Sequence, residues 1–337
     1  MKKIIALLLI LILSLSFTMS CKNNNDENGE KTDVNVAVLS GSTGFGMAYL
    51  MEQNEKGEAK NNYTFQVQSD ATVVNSALLS GDVDIAALPT NAASVLFNKP
   101  NNPVKVIAIN TLGVLYVVEN GTTITNISDL ENKTIYCPAQ NPAFILQYIL
   151  NKNNISATID TTYSTPALLN KAVTSGALKD QNVIAVLPEP VLTTATKANS
   201  SLSVRLDLTE EWSKVEDTQL VQGCVVVRTA FLEEHPEAVE KFLSEYEASI
   251  NYLQNNNDAT AALVVKHGIF ANENVAKIAI PKCNVTYIDG NEMKSAMNDF
   301  LNALSTINIQ SIGGKLPTDK FYYINEWTSF KAFVKNY

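Results

Sequence analysis

Arginine is scarce in this sequence, and Arg205 and Arg228 are the only two in 337 residues. Because a guanidinium is the usual bidentate partner of a carboxylate or sulfonate, an anionic ligand would have to rely on helix N-termini and backbone N–H groups. Lysine is not clustered either, and the formal net charge is −9. An acidic chain without basic patches lacks the electrostatic footprint for nucleic acid, so this class of partner is excluded.

Histidine and cysteine are also rare. His235 and His267 are the only histidines, and both fall in predicted helices late in the chain, so a metal cluster or a Ser/His/Asp arrangement has little support. We therefore expect no metal, no cofactor and no enzymatic activity. Cys137, Cys224 and Cys283 can form at most one disulfide, and their spacing fits no metal motif, so we interpret them as small buried residues.

A long apolar run occurs only at the start of the chain. Met1-Lys2-Lys3 and the apolar residues 4–15 predict a signal peptide over residues 1–20, because the run is too short for a mature membrane helix. Cys21 stands where the bacterial lipoprotein signal, which this segment resembles, has its acylated cysteine. We predict a lipidated Cys21 and a polar, flexible tether over residues 21–33. Cleavage by an ordinary signal peptidase is the alternative.

A short strand that ends in Leu-Pro occurs twice. Residues 83–88 follow a helix that Gly81 should end, and they precede a turn at Pro89. The same pattern returns at residues 183–190. Two strands of one kind, each ending beside a polar residue, indicate two similar lobes that face each other.

A second repeat supports this interpretation. A predicted strand at residues 35–39 leads into a turn at residues 40–46 and then a helix. A predicted strand at residues 133–136 leads likewise into a turn at residues 137–142 and a helix. Each lobe therefore opens with a strand, a turn and a helix N-terminus, as a βαβ-rich parallel sheet would.

Three motifs occur in the order that one known family shows. Ser128-Asp129-Leu130-Glu131-Asn132-Lys133-Thr134-Ile135 matches a Ser-Asp-Leu-x-Gly-Lys-x-Ile segment, with asparagine in place of the usual glycine; asparagine tolerates the left-handed conformation that such a turn needs. Gly81-Asp82-Val83-Asp84 matches a Gly-x-Val-Asp strand, and Glu189-Pro190 matches a Glu-Pro strand end. From about residue 34 onwards, the chain resembles the substrate-binding proteins of ABC importers in the class that handles nitrate, taurine, other sulfonates and thiamine-pyrimidine precursors.

The resemblance implies an α/β fold of the two-lobe, type II periplasmic-binding-protein kind, with mixed sheets flanked by helices and two crossover strands as a hinge. It places lobe 1 at residues 34–118 and 223–337 and lobe 2 at residues 119–222. The crossovers are expected near residues 116–120 and 222–226. In this architecture the lobes close around a ligand, which lies where strand ends and helix N-termini converge.

The expected ligand-binding residues follow strand ends on both lobes. Glu189 is the most specific candidate, because a carboxylate in a closed cleft selects for a ligand that donates hydrogen bonds or carries positive charge. The alternative is that Glu189 is a surface residue between two prolines. Asp70, Thr90 and Asn91 could instead only cap helices. The predicted set is Ser40, Gly41, Ser42, Thr43, Ser69, Asp70, Thr90, Asn91, Thr111, Gly113, Gln140, Asn141, Glu189 and Gln222.

The implied function is that of a lipid-anchored solute-binding protein on the extracytoplasmic face of a bacterial cell membrane. As a monomer it would capture a small molecule and deliver it to an ABC permease and its ATPase. A sensor that presents its bound state to a membrane receptor is the alternative, and an enzyme of the same fold is a weaker one. The identity of the ligand stays open: the scarcity of arginine disfavours a strongly anionic solute and leaves room for a heterocycle such as a pyrimidine or flavin-related compound.

Overall fold

The polypeptide folds into two mixed β-sheets that helices flank, which confirms the predicted fold class. The computed structural model describes residues 31–324, and residues 32–324 belong to one compact unit. The strands are β1 (Asp33–Leu39), β2 (Asn62–Gln68), β3 (Ile85–Pro89), β4 (Val104–Thr111), β5 (Leu115–Asn120), β6 (Thr134–Tyr136), β7 (Thr158–Asp160), β8 (Ile184–Pro188), β9 (Leu202–Asp207), β10 (Gly223–Arg228) and β11 (Val285–Ile288).

The helices connect these strands and cover the sheets. Short 3-10 helices span Ile127–Leu130, Ile280–Lys282, Ile309–Ile312 and Asp319–Phe321. The α-helices are α1 (Ser42–Phe45), α2 (Ala48–Glu55), α3 (Ala71–Ser80), α4 (Thr90–Phe97), α5 (Asn141–Lys152), α6 (Pro166–Thr174), α7 (Val191–Ala198), α8 (Leu208–Ser213), α9 (Thr229–Glu234), α10 (Pro236–Asn255), α11 (Asn257–Lys266), α12 (Glu273–Ala279) and α13 (Gly290–Ile307).

The two sheets repeat one strand order. The first sheet reads β2-β1-β3-β10-β4-β11 and the second reads β7-β6-β8-β5-β9. In each sheet the strand that ends in Leu-Pro, β3 or β8, pairs in parallel with one neighbour and antiparallel with the other. The repeat that the sequence indicated is therefore real, and it relates the two Leu-Pro strands by position as well as by sequence.

Local sequence explains why the repeated elements form. Residues 85–88 of β3 are completely buried, as expected of an apolar strand in the middle of a sheet with both faces covered. Gly81 ends α3 in the left-handed conformation at φ 87°, where a side chain would be strained. Asn132 has φ 55°, so asparagine adopts the left-handed turn that the family motif gives to glycine.

The chain crosses between the sheets at two places. The predicted first crossover near residues 116–120 is wrong, because these residues belong to β5 of the second sheet; the chain crosses at residues 112–114, between β4 and β5. It returns through residues 214–222, between α8 and β10. The predicted second crossover near residues 222–226 is therefore also wrong beyond residue 222, because residues 223–226 belong to β10 of the first sheet. The exact division into lobes at residues 34–118, 119–222 and 223–337 stays a prediction.

The apolar core continues across both sheets. Trp212 of α8 is only 1% exposed, and its ring lies 4.9 Å from that of Tyr148 on α5 and 5.7 Å from that of Phe300 on α13. The indole N–H donates to the carbonyl of Thr218 at 2.9 Å. Since α5 follows a strand of the second sheet and α13 follows a strand of the first, this aromatic cluster joins the two halves.

Several predictions fall on parts of the chain outside the described residues. These are the signal peptide at residues 1–20, the acylated Cys21 and nearly all of the tether at residues 21–33. Within residues 31–324, no helix has the length and apolar character needed to cross a membrane. Cys137, Cys224 and Cys283 are buried and free, which confirms their interpretation.

Candidate functional site

The carboxyl ends of the two corresponding strands, β3 and β8, lie at the edges where the two sheets approach each other. In the first sheet, Gly223 lies opposite both Pro89 and Thr111. In the second, Leu115 lies opposite Pro188. Residues 112–114 alone connect Thr111 to Leu115, so these two edges are at most about 14 Å apart. The carboxyl ends of β3 and β8 therefore border one cleft, where open α/β sheets bind ligands.

Two contacts cross this cleft. A Cβ placed on Gly41, in the turn after β1, would lie 3.7 Å from Cδ of Pro190, which follows β8. Lys282, which precedes β11 of the first sheet, places Nζ 3.9 Å from Oε1 of Glu189. Gly41 and Glu189, which the sequence predicted as site residues, thus each lie against a segment that belongs to the opposite sheet or borders it.

Glu189 is buried, at 1% exposure, so the alternative of a surface glutamate is wrong. Its carboxylate accepts hydrogen bonds from the Thr193 backbone N–H at 3.1 Å and the Thr193 hydroxyl at 2.8 Å. These two hydrogen bonds attach the Glu189 side chain to the first turn of α7. Burial raises the pKa of this carboxyl above its ordinary value of 4.5, against the opposing influence of Thr193 and Lys282.

The raised pKa of Glu189 predicts a pH-dependent stability. A carboxyl whose pKa is higher in the folded chain than in the unfolded chain stabilises the fold at low pH, and this contribution is lost as pH rises through the folded-state pKa. Glu189→Gln cannot ionise, so from pH 4.5 to neutrality this variant should lose less free energy of unfolding than the wild type. Urea unfolding at both pH values measures the difference.

Glu233 provides a matched control for this prediction. It is exposed on α9, so Glu233→Gln should follow the wild-type pH profile. Parallel profiles for Glu189→Gln and the wild type would show that the buried carboxyl does not make this contribution.

Gln222 ties the two crossing segments together. Its side-chain Oε1 accepts from the Val114 backbone N–H at 2.6 Å, and its own backbone N–H donates to the Thr111 carbonyl at 3.0 Å. Its carbonyl accepts from the Thr90 N–H at 3.2 Å. Thr111 is buried and its hydroxyl donates to Asn110 at 3.1 Å. Gln222 and Thr111 therefore shape the hinge between the sheets.

Gly113 is packed too tightly to face an open cleft. A Cβ at this position would lie 2.2 Å from Oγ1 of Thr209 and 2.9 Å from Cδ2 of Leu220. The Asn284 side-chain amide also donates to the Gly113 carbonyl. The absence of a side chain here is what lets residues 112–114 pass against α8.

We expect Gly113→Ala to reduce the free energy of unfolding by about 1–3 kcal/mol, because the added methyl group must displace Thr209 or Leu220. Chemical denaturation of the variant measures this loss. Adding Thr209→Ala removes the closest atom and should restore part of the stability. A single Gly113→Ala variant as stable as the wild type would contradict the close packing.

Three predicted site residues hold buried side-chain oxygens that make no well-formed hydrogen bond within residues 31–324, although the Thr90 hydroxyl interacts with the buried Cys224 thiol and the Asn91 amide donates to the Ser311 carbonyl at 3.5 Å. The three oxygens are Thr90 Oγ1, Asn91 Oδ1 and Asn141 Oδ1. Thr90 and Asn91 begin α4 directly after β3, and Asn141 begins α5 after β6 of the second sheet. The capping alternative is wrong for Thr90 and Asn91, because Pro89 is the N-cap of α4. Buried unpaired oxygens are costly, so these atoms are the strongest candidates for contact with a ligand.

The remaining predicted residues lie at the edges of the cleft. Asp70 caps α3 by accepting from the Thr72 N–H at 2.7 Å, and this hydrogen bond lowers the pKa of the Asp70 carboxyl. The Ser40 hydroxyl donates to the Gln68 carbonyl at 3.3 Å, and the Thr43 carbonyl accepts from the Asn110 amide at 3.0 Å. The side chains of Ser42 and Thr43 are half-buried, and those of Ser40, Ser69 and Gln140 are exposed.

Neither arginine lies at the cleft. Arg228 pairs with Asp84 at 2.7 Å, at the opposite end of β3 from Pro89. Arg205 pairs with Glu119 at 3.3 Å, at the far end of β5. Near the cleft, burial and then the carboxylates of Asp207 and Glu189 raise the pKa of Tyr116. The described groups around this edge are therefore mainly carboxylates, with Lys282 as a cation.

The segment at Lys282 and Asn284 was missed by sequence reasoning. Asn284 has φ 43°, and its backbone carbonyl accepts from the Leu112 N–H at 3.1 Å. Both residues lie far along the chain from every motif of the repeat, so no local pattern could have placed them here.

Comparison with known proteins gives one family and a shared fold. A family model described as menaquinone biosynthesis matches residues 45–305. The structure of an ABC transporter from Parabacteroides distasonis is 23% identical with a TM-score of 0.72, covering 87% of this chain and 99% of that one. The periplasmic aliphatic sulphonate binding protein SsuA from Escherichia coli is 14% identical with a TM-score of 0.66, covering 84% and 89%.

A third structure agrees with these two. The alkanesulfonate-binding protein SsuA from Xanthomonas axonopodis pv. citri, bound to MOPS, is 11% identical with a TM-score of 0.64, covering 86% of this chain and 96% of that one. No curated protein matches the chain. Likeness at such identities shows the fold alone.

Proposed function

From the premise that this chain belongs to the family described as menaquinone biosynthesis, we propose that it is an extracytoplasmic solute-binding protein that captures a small molecule between its two sheets. The family description names a pathway, which a binding protein can serve as well as an enzyme can. The predicted signal peptide favours the binding role, because a solute-binding protein of an importer works outside the cytoplasm.

The observation that supports this proposal is a set of buried side-chain oxygens, unpaired within residues 31–324, on the residues that begin the helices after β3 and β6. Thr90 and Asn91 contribute theirs from the first sheet and Asn141 contributes one from the second. A polar solute that donates hydrogen bonds to both sheets would satisfy these atoms and hold the cleft closed. A chain without a ligand would bear the cost of leaving them unpaired.

The charges at the cleft favour one kind of solute. Because Arg205 and Arg228 are engaged elsewhere, a sulfonate or nitrate would meet no guanidinium there. Glu189 and Asp207 contribute negative charge near Tyr116. A neutral or donor-rich heterocycle, such as a pyrimidine or flavin-related compound, fits this environment better. In this respect the chain would differ from its sulfonate-binding structural relatives.

Delivery to a membrane partner completes the proposal. Acylation at Cys21 would anchor the protein at the extracytoplasmic face of the membrane, and the polar residues after it would let the two sheets reach an ABC permease and its ATPase. A sensor that presents the same closed state to a receptor is the alternative. Deleting a neighbouring permease gene should abolish uptake of the solute in the first case and leave it unchanged in the second.

An enzyme is the second candidate, favoured by the family description. Glu189 is its natural acid or base, since burial raises the pKa of this carboxyl and raised carboxyl pKa values are typical of catalytic acids and bases. Both oxygens of Glu189 are engaged by Thr193, which favours a positioning role over proton transfer.

The experiment that tests the proposal is a thermal-shift screen of purified protein against pyrimidines, flavin-related compounds, sulfonates and nitrate, followed by mass analysis of each hit after incubation. A binding protein returns its ligand chemically unchanged, whereas an enzyme returns a product. The intact mass of protein from a membrane fraction tests acylation: a mass that begins at unmodified Cys21, or at any later residue, would contradict the lipid anchor.

A further inference from the structure

Outside the cleft, two helices place three metal-binding side chains together. Glu52 and Glu55 lie one turn apart on α2, and His267 directly follows the last residue of α11. One ligand atom from each of these side chains lies within 4.8 Å of the others. No sequence pattern indicates this cluster, because more than 200 positions separate the glutamates from the histidine.

The spacing of the cluster suits a small divalent cation. His267 Nε2 lies 3.4 Å from Glu52 Oε2, and His267 Nδ1 lies 3.5 Å from Glu55 Oε1. Two ligands that each lie about 2.0–2.2 Å from a tetrahedral zinc ion are about 3.3–3.6 Å apart. Glu52 and Glu55 face different nitrogens of the ring, so one carboxylate must rotate toward the other nitrogen before a single ion can contact the imidazole and both carboxylates.

One nitrogen of the His267 imidazole is buried and poorly hydrogen-bonded. The side chain of His267 is only 4% exposed, and within residues 31–324 Nε2 makes no well-formed hydrogen bond, only the 3.4 Å approach to Glu52 Oε2. A buried imidazole nitrogen that faces a carboxylate without a hydrogen bond is costly. Coordination of a metal would satisfy this atom, and imidazole with carboxylates is a ligand set that zinc accepts.

We propose that Glu52, Glu55 and His267 form a binding site for one divalent transition-metal ion of the Zn²⁺ type, separate from the cleft. The ion would connect α2 to the end of α11. With three protein ligands, a water molecule would fill the fourth position.

Lys266 competes for the same carboxylates. Its ammonium contacts Glu52 and lies 2.7 Å from Glu55 Oε2. Lys56 also pairs with Glu52, at 3.4 Å. Lys266 is about half exposed at its side chain, so its ammonium can turn into solvent when a metal binds, at little cost for a surface ion pair. Removal of this competitor should therefore strengthen metal binding.

The test is a Zn²⁺ titration of the full-length chain in mild detergent, read by competition with a chromogenic chelator. We expect one Zn²⁺ per chain. His267→Ala and Glu52→Gln should each weaken the affinity about tenfold or more, whereas Lys266→Met should strengthen it several-fold. His235→Ala is the matched control, since His235 is exposed and lies beside Phe231, and it should bind as the wild type does.

A second readout distinguishes this site from adventitious binding. X-ray absorption at the zinc edge should show nitrogen and oxygen ligands without sulfur, because no cysteine belongs to the cluster. Sulfur ligation, the absence of saturable one-to-one binding, or a His267→Ala variant with wild-type affinity would each overturn the proposal. If His267→Ala does not fold, unchanged or weaker binding by Lys266→Met overturns it instead.

Discussion

Replacing Trp212 with alanine is expected to reduce the free energy of unfolding by about 3–5 kcal/mol, because it empties a fully buried aromatic position. The indole packs between Tyr148 of α5 and Phe300 of α13, so the loss weakens the only aromatic cluster described here that joins the helices of both sheets. The carbonyl of Thr218 also loses its indole donor. Urea unfolding followed by far-UV circular dichroism measures the change.

A surface substitution of similar chemistry is the control. Leu79 on α3 is 47% exposed, and Leu79→Ala should change stability by less than about 0.5 kcal/mol. A Trp212→Ala variant that loses no more than Leu79→Ala would contradict a shared core. A shared core also predicts one unfolding transition; two transitions in the wild type would indicate that the sheets unfold separately.

The double substitution Thr90→Val with Asn141→Ala is expected to weaken solute binding about 10- to 100-fold. Each substitution removes one of the buried oxygens that the proposed solute would satisfy, and a hydrogen bond contributes about 0.5–1.5 kcal/mol, with about 1.4 kcal/mol per tenfold change in affinity. The two residues stand on different sheets, so each single variant should show part of the loss. Isothermal titration with the ligand released from the wild-type protein measures it.

Asn75 offers a matched control for this prediction. Its side-chain oxygen is also buried and unpartnered, but it lies in the middle of α3 rather than at a strand end. Asn75→Ala should therefore keep wild-type affinity. Equal losses in Asn75→Ala and the double variant would mean that the effect comes from general destabilisation and not from contact with the solute.

Much of the fold could be predicted because its signals are local and repeated. The Leu-Pro strands are short, apolar and bounded by glycine or proline. Their recurrence therefore predicted two similar lobes without knowledge of the strand pairing. Asn132 could be assigned a left-handed turn from its residue type alone. The first crossover could not be placed, because the apolar residues 104–118 continue through β4 and β5 with little to mark where one sheet ends.

The candidate site could be predicted only where residues follow strand ends. Thr90, Asn91 and Asn141 were found in this way, but their burial without partners depends on the packing of whole helices. Gly113 was predicted to be a site residue, but it is packed against Thr209 and Leu220 instead. This packing could not be predicted, because both residues are about 100 positions away in the sequence. Lys282 and the Glu52, Glu55 and His267 cluster are likewise products of tertiary contact between distant segments.

Native mass spectrometry of the protein beginning at Lys22 tests most directly whether a small molecule binds between the sheets. We predict one non-covalent adduct per chain, present in the wild type and in Asn75→Ala and lost from the Thr90→Val, Asn141→Ala double variant. Accurate mass of the released compound would give its chemical class. A chain that carries no adduct, and gains none after exposure to a metabolite extract of its host, would contradict the binding function.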